Sequence, residues 1–389
     1  MSENRRAEAR SADLEHLLAT REIVVTCGAG GVGKTTTAAA LATLAASRLD
    51  ARVLVLTVDP ARRLANALGL EALGNREARV AESAFEAAGL PARGQLWAAM
   101  LDMKHSWDDL VERHAPNAKV RDQLLANEVY ANISGRFVQS HSYIAAERLY
   151  DLHATGGYDL IVVDTPPSRS ALEFLDAPAR MVELFEGRMV RWLTMPARHK
   201  VLGLASKPFF DIADRILGSQ LLGDVIEFFS ILQSMAPGFV QRADAVGALL
   251  ADRRTAFVVV TTLESAPARD AEFLLAELTR RRLSLGALVL NKVLPDSLLS
   301  ADAGRAAANL RKDAAGLAAA LPGDSAKVTQ RVFEGLGQNF ANLQSAARLE
   351  AEERDRLAAA APLLCAVPYL DDDITDLAGL ARLLSQVDR

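Results

Sequence analysis

The hydrophobic positions of this chain fall into short apolar runs separated by longer stretches of helical period. Residues 22–27 form the first run, Glu22-Ile23-Val24-Val25-Thr26-Cys27, rich in β-branched side chains. The pattern recurs at 52–58, 95–102, 158–164, 255–261, 285–291 and 362–368. Most of these runs are nearly continuous rather than alternating, as expected of strands covered on both faces of a parallel sheet. Helical patterns lie between them: a short polar helix over 7–19, the Ala/Leu run 34–47, segments through about 155, a helix at about 266–282 and a last one from 373 to about 387. From 178 to 251 there is no strand pattern, only helices, and 297–360 reads as helices broken near Pro322-Gly323. The expectation is a single α/β domain over 1–389, built on a doubly wound, mostly parallel sheet. Residues from about 178 to 251 are its helical insertion subdomain, and those from about 297 to 360 a second helical segment.

The first strand runs into Gly28-Ala29-Gly30-Gly31-Val32-Gly33-Lys34-Thr35-Thr36, which fits G-x-x-x-x-G-K-[ST] between a strand and a helix. Glycines let backbone N–H groups close around a phosphate, and the helix N-terminus adds partial positive charge. Lys34 is then the group that reaches the β/γ-phosphates, and Thr35 the hydroxyl that holds Mg²⁺. The run ending in Asp164 has the Walker B pattern and leads into Thr165-Pro166-Pro167-Ser168-Arg169-Ser170, a candidate switch loop. Asp59, just past the second run, is the best candidate to orient water at the γ-phosphate, and it joins Thr35 and Asp164 in the expected metal site. Asp59-Pro60 also fits a helix N-cap followed by a first-turn proline. Asn291-Lys292 begins like the guanine-reading N-K-x-D, but position 294 is leucine, so ATP is expected rather than GTP. Asn291 is left to touch adenine or to cap the following turn.

Composition narrows the classes. At 389 residues, half of them hydrophobic, the chain supports a large core. The 44 basic against 49 acidic residues give net charge −5, which argues against nucleic acid as a general partner. Cys27 and Cys365 are too few for a disulfide framework or a C-x-x-C site within one chain, and they suit a reducing cytoplasm. The first six residues lack the apolar core of a signal peptide, and no uncharged apolar run approaches 18 residues. A soluble cytoplasmic ATPase without a transmembrane segment is the expectation.

The loop Gly28–Thr36, Asp59-Pro60-Ala61 and Asp164-Thr165-Pro166-Pro167-Ser168, in that order and followed by a helical insertion, resemble the arsenite-pump ATPase family (ArsA). That family includes the ATPases that guide tail-anchored membrane proteins. The resemblance implies a P-loop ATPase whose dimer opens and closes with its nucleotide. It gives Asp59 the water-activating role, Asp164 the Walker B role, and Pro368 a place in the adenine pocket. The family's loop usually carries a signature lysine that reaches the partner's nucleotide; here that position is Ala29. Either Arg62, Arg63 or Arg169 replaces its charge, or the chain pairs with a paralogous ATPase that retains the lysine. Homodimer and heterodimer therefore both stay open. The clustered thiolates of an arsenite site and the C-x-x-C of a shared zinc are missing. Met181, Phe185, Met189 and Trp192/Leu193 recur at helical spacing, which fits a groove for hydrophobic client segments or ordinary packing.

Overall fold

A computed structural model describes residues 13–58, 62–71, 73–101, 103–133, 141–165, 168–186, 219–321 and 326–387. The strands are β1 (Ile23–Cys27), β2 (Arg52–Thr57), β3 (Ala78–Arg79), β4 (Gln95–Met100), β5 (Leu160–Asp164), β6 (Thr255–Thr261), β7 (Leu285–Val293) and β8 (Leu364–Pro368). They form one eight-stranded sheet in the order β3-β4-β2-β5-β1-β6-β7-β8. Every pairing is parallel except that of the short edge strand β3 with β4. All five residues of β1 and all seven of β6 are buried, because helices cover both faces.

The helices, in chain order, are α1 (residues 13–20), α2 (Lys34–Arg48), α3 (Arg62–Ala67), α4 (Glu82–Ala87), α5 (Met103–His114), α6 (Ala118–Leu125), α7 (Glu128–Ile133) and α8 (His141–Ala154). They continue as α9 (Ser168–Glu186), α10 (Ser219–Ala251), α11 (Ser265–Arg280), α12 (Ala301–Lys312), α13 (Ala314–Ala320), α14 (Ala326–Ala358) and α15 (Leu377–Val387). One face of the sheet packs on α1, α2 and α15, the other on α5 through α11. The alanines Ala38, Ala39, Ala42, Ala45 and Ala46 bury one side of α2 and let its backbone approach β1, β2 and β5 closely.

Two helices depart most from the sequence pattern. The first helix is amphipathic rather than polar, since Leu14, Leu17 and Leu18 are buried under the sheet. The helical layer after β5 begins at Ser168, ten residues before the expected 178, so Pro178 lies inside α9. A helix-interior proline costs a backbone hydrogen bond. It is tolerated where Phe174, Ala177 and Met181 bury the inner face of α9 in the same core as Phe228, Leu232, Met235 and Phe239 of α10. Of the expected methionine and aromatic stripe, Met181 is a core residue; the Phe185 side chain and Met189, Trp192 and Leu193 lie outside the described residues.

Candidate functional site

The site grows from the end of β1. Gly28 has φ +156°, and a Cβ there would lie 2.0 Å from the Val260 carbonyl oxygen of β6, so only glycine lets the loop leave the sheet at this point. The loop closes on Gly33, the left-handed residue before α2 (φ 97°, ψ 24°), where a Cβ would lie 2.2 Å from Asn291 Nδ2. Its carbonyl accepts the Thr37 N–H at 2.9 Å and starts the helix. The loop thus stands at the N-terminus of a 15-residue helix with no acidic residue in its first turn, a setting that favours an anion.

Lys34 is buried, and its Nζ donates to the Ala29 carbonyl at 2.8 Å. Ala29 is itself buried among apolar neighbours of the α2 face. Cys27, at the end of β1, donates weakly to the Val258 carbonyl. Burial pushes its thiol from 9.0 up to about 12, against the opposing field of the Lys34 ammonium.

Parallel register then delivers the carboxylate. Asp164 ends β5 level with Thr26 of β1 and Thr57 of β2. Its Oδ2 accepts from Thr35 Oγ1 at 2.7 Å and from Thr57 Oγ1 at 3.0 Å. Thr26 donates to the Val163 carbonyl and Thr165 to the Thr26 carbonyl, which locks the two strand ends together. Thr35 and Asp164 supply a hydroxyl and a carboxylate in hydrogen-bond contact at the phosphate loop. These hard oxygens are donors of the type Mg²⁺ takes, since that ion keeps most of its shell as water and phosphate oxygen.

Asn291 comes to the same edge from β7. Its Nδ2 donates to the Val32 carbonyl at 2.8 Å, and its Oδ1 accepts the Lys292 N–H at 3.0 Å. It therefore braces the loop and caps its own turn, where Lys292 adopts φ 59°. Pro368 ends β8 beside Val293, two residues beyond Asn291. The Leu294 N–H, at the position where N-K-x-D has its carboxylate, donates to Glu350 of α14.

The structure brings Gly28 through Thr36, Asp164, Asn291 and Pro368 to the C-terminal edge of one sheet. Asp59, Pro60 and Ala61 lie outside the described residues, as do the side chains of Arg62, Arg63 and Arg169. Val58, next to Asp59 in sequence, donates its N–H to the Asp164 carbonyl at 3.2 Å. Sequence reasoning missed Thr57 and Thr26. Both are threonines one residue from the end of an apolar run, a signal that only the strand register against Asp164 makes specific.

A family model described as anion-transporting ATPase matches residues 21–313. The chain belongs to the ArsA family of ATPases. The match covers the phosphate loop, Asp164 and Asn291, and stops short of α13, α14, β8 and Pro368. A homologue of the ATPase ASNA1 from Entamoeba dispar is 24% identical over 289 residues, covering 73% of this chain and 80% of that protein. The ATPase GET3 of Mycosarcoma maydis is 26% identical over 268 residues, 69% of this chain and 71% of that one. The ASNA1 homolog 1 of Paramecium tetraurelia is 27% identical over 277 residues, 69% and 74% of the two chains. No described helix of this ArsA-family ATPase is long and apolar enough to cross a membrane.

Proposed function

We propose that this ArsA-family chain binds Mg-ATP at Gly28–Thr36 and that hydrolysis drives a nucleotide-gated conformational change in a cytoplasmic dimer. The observation that carries the reading is the shared contact of Thr35 and Thr57 with Asp164 at the mouth of the phosphate loop. Phosphoryl transfer is mainly positioning and charge neutralisation, and each residue has a part in it. Loop N–H groups and the α2 N-terminus hold the phosphate chain. The Lys34 ammonium, resting on the Ala29 carbonyl in this structure, exchanges that neutral acceptor for phosphate oxygens. Thr35 and Asp164 are the residues that would hold Mg²⁺, which when bound neutralises charge developing on the phosphates. Asp59 orients the attacking water. Asn291 and Pro368 flank the adenine. In Lys34→Ala, ATP hydrolysis is expected to vanish; in Asp59→Asn, ATP stays bound and turnover falls at least about 100-fold, as for loss of a general base. Parental turnover in either variant overturns the reading.

Ala29 leaves the charge across the dimer open. Arg62, Arg63 or Arg169 supplies it in a homodimer, or a paralogous ATPase with the lysine supplies it in a heterodimer. If Arg62→Ala, Arg63→Ala and Arg169→Ala all hydrolyse ATP at the parental rate, the arginine idea fails. Similarity to proteins named GET3 and ASNA1, with the family resemblance, supports a second reading as a targeting factor for hydrophobic segments. On that reading residues within 178–251 gain hydrogen-exchange protection when an apolar client helix is added.

A further inference from the structure

We infer that Thr57 is a positioning residue for the metal-site carboxylate, holding Asp164 in the one orientation that leaves the Thr35 hydroxyl free to face a cation. The inference rests on the Mg-ATP reading and adds to it a residue outside both Walker motifs. Thr57 is the last residue of β2 and is fully buried. Its register partner on β5 is Asp164 itself, so the strand ladder fixes how near the hydroxyl comes. The Cβ hydroxyl at this position reaches the carboxylate across the ladder at 3.0 Å.

The hydrogen-bond arithmetic supports the role. A threonine hydroxyl has one proton and two lone pairs. Thr35 donates its proton to Asp164 Oδ2, which leaves its lone pairs for a cation. That assignment holds only while Oδ2 points at Thr35. Thr57 donates to the same oxygen from the neighbouring strand, so a carboxylate rotation that breaks one bond strains the other. Residues that hold a metal ligand in place in this way typically change metal affinity by about 10–100-fold when removed. Thr57 therefore tunes the metal without touching it. It also joins the metal side of the site to the strand that leads into Asp59.

The test uses the full-length protein with Thr57→Val, which keeps the shape and loses the hydroxyl, and Thr57→Ser, which keeps the hydroxyl. Equilibrium binding of a fluorescent ATP analogue is titrated with Mg²⁺ and repeated in EDTA, and the nucleotide-free melting temperature is recorded. Thr57→Val is expected to need about 10-fold more Mg²⁺ for half-maximal tightening, with binding in EDTA unchanged. Thr57→Ser is expected to return within about twofold of the parent, following the restored hydroxyl. A parental Mg²⁺ requirement in Thr57→Val overturns the inference while leaving the Mg-ATP reading intact. So does a loss of equal size in EDTA, or a serine variant no better than valine, since either marks a merely structural residue. If the parent itself shows no Mg²⁺-dependent tightening, the Mg-ATP reading fails and the inference falls with it.

Discussion

Gly33 is constrained twice, because its backbone is left-handed and its missing Cβ makes room for Asn291. Gly33→Ala is expected to destabilise the fold by about 1–3 kcal/mol, the usual cost of a strained non-glycine conformation. It should also weaken nucleotide binding. Adding Asn291→Ala relieves the clash but not the torsion, so the double variant recovers part of the loss in urea unfolding. Cys27 makes a pH prediction. Its folded thiol titrates near 12 against 9.0 unperturbed, so the folded state binds the proton more tightly. Its contribution to stability is full below about pH 9 and is lost as pH rises toward 12. Unfolding midpoints in Cys27→Ala should therefore fall less steeply over that alkaline range than in the parent. At this scale the sequence was legible where a motif has fixed spacing: the Thr35 hydroxyl reaches Asp164, while Lys34 lies on the Ala29 carbonyl within the loop. Thr57 was not, because a threonine ending a strand is also an ordinary β-former, and only the register against β5 gives it a task.

Among the elements, α10 is held to α5 and α8 by a partly buried ion cluster around Glu147. Arg242 Nε donates to Glu147 Oε1 at 2.7 Å, and its other nitrogen pairs with Asp151, which also pairs with Arg113. The guanidinium lies 4.0 Å from the Tyr150 ring centroid. Glu147 is almost fully buried, and Tyr143 donates to its other oxygen. Arg242→Ala leaves that carboxylate undercompensated and is expected to cost about 3 kcal/mol in denaturant unfolding. The Glu147→Leu/Arg242→Met pair removes both charges at similar volume and should cost much less. None of this was legible as periodicity, since the ion pairs between α5, α8 and α10 join residues 34 to 95 positions apart. Strands with long apolar runs, such as β6, were read to the residue. The two-residue β3 escaped because its identity lies in two pairings with β4, not in any run. The start of α9 escaped because Ser168-Arg169-Ser170 reads as the end of a switch loop, whereas these residues open a helix whose inner face packs against α10.

Across the whole molecule, one sheet edge carries the phosphate loop, Asp164, Asn291 and Pro368, so a ligand there ties together strands from every part of the chain. Nucleotide at about 100 times its dissociation constant should add about 2.7 kcal/mol of stability, read as a melting shift of several degrees that Lys34→Ala abolishes. The α/β class was legible from alternating patterns, but the strand order was not, because buried apolar runs carry no mark of their partners. That order has a consequence for synthesis of the protein. Ile23 pairs with Ile161 on one side and with Thr255 on the other. The strand made first therefore waits for its second neighbour while more than half the chain is translated, roughly 10–50 s at ribosomal rates. Until then its apolar edge is open to other nascent chains. A ribosome stalled before β6 should hold a protease-sensitive, chaperone-bound β1, and one that has released β6 should not.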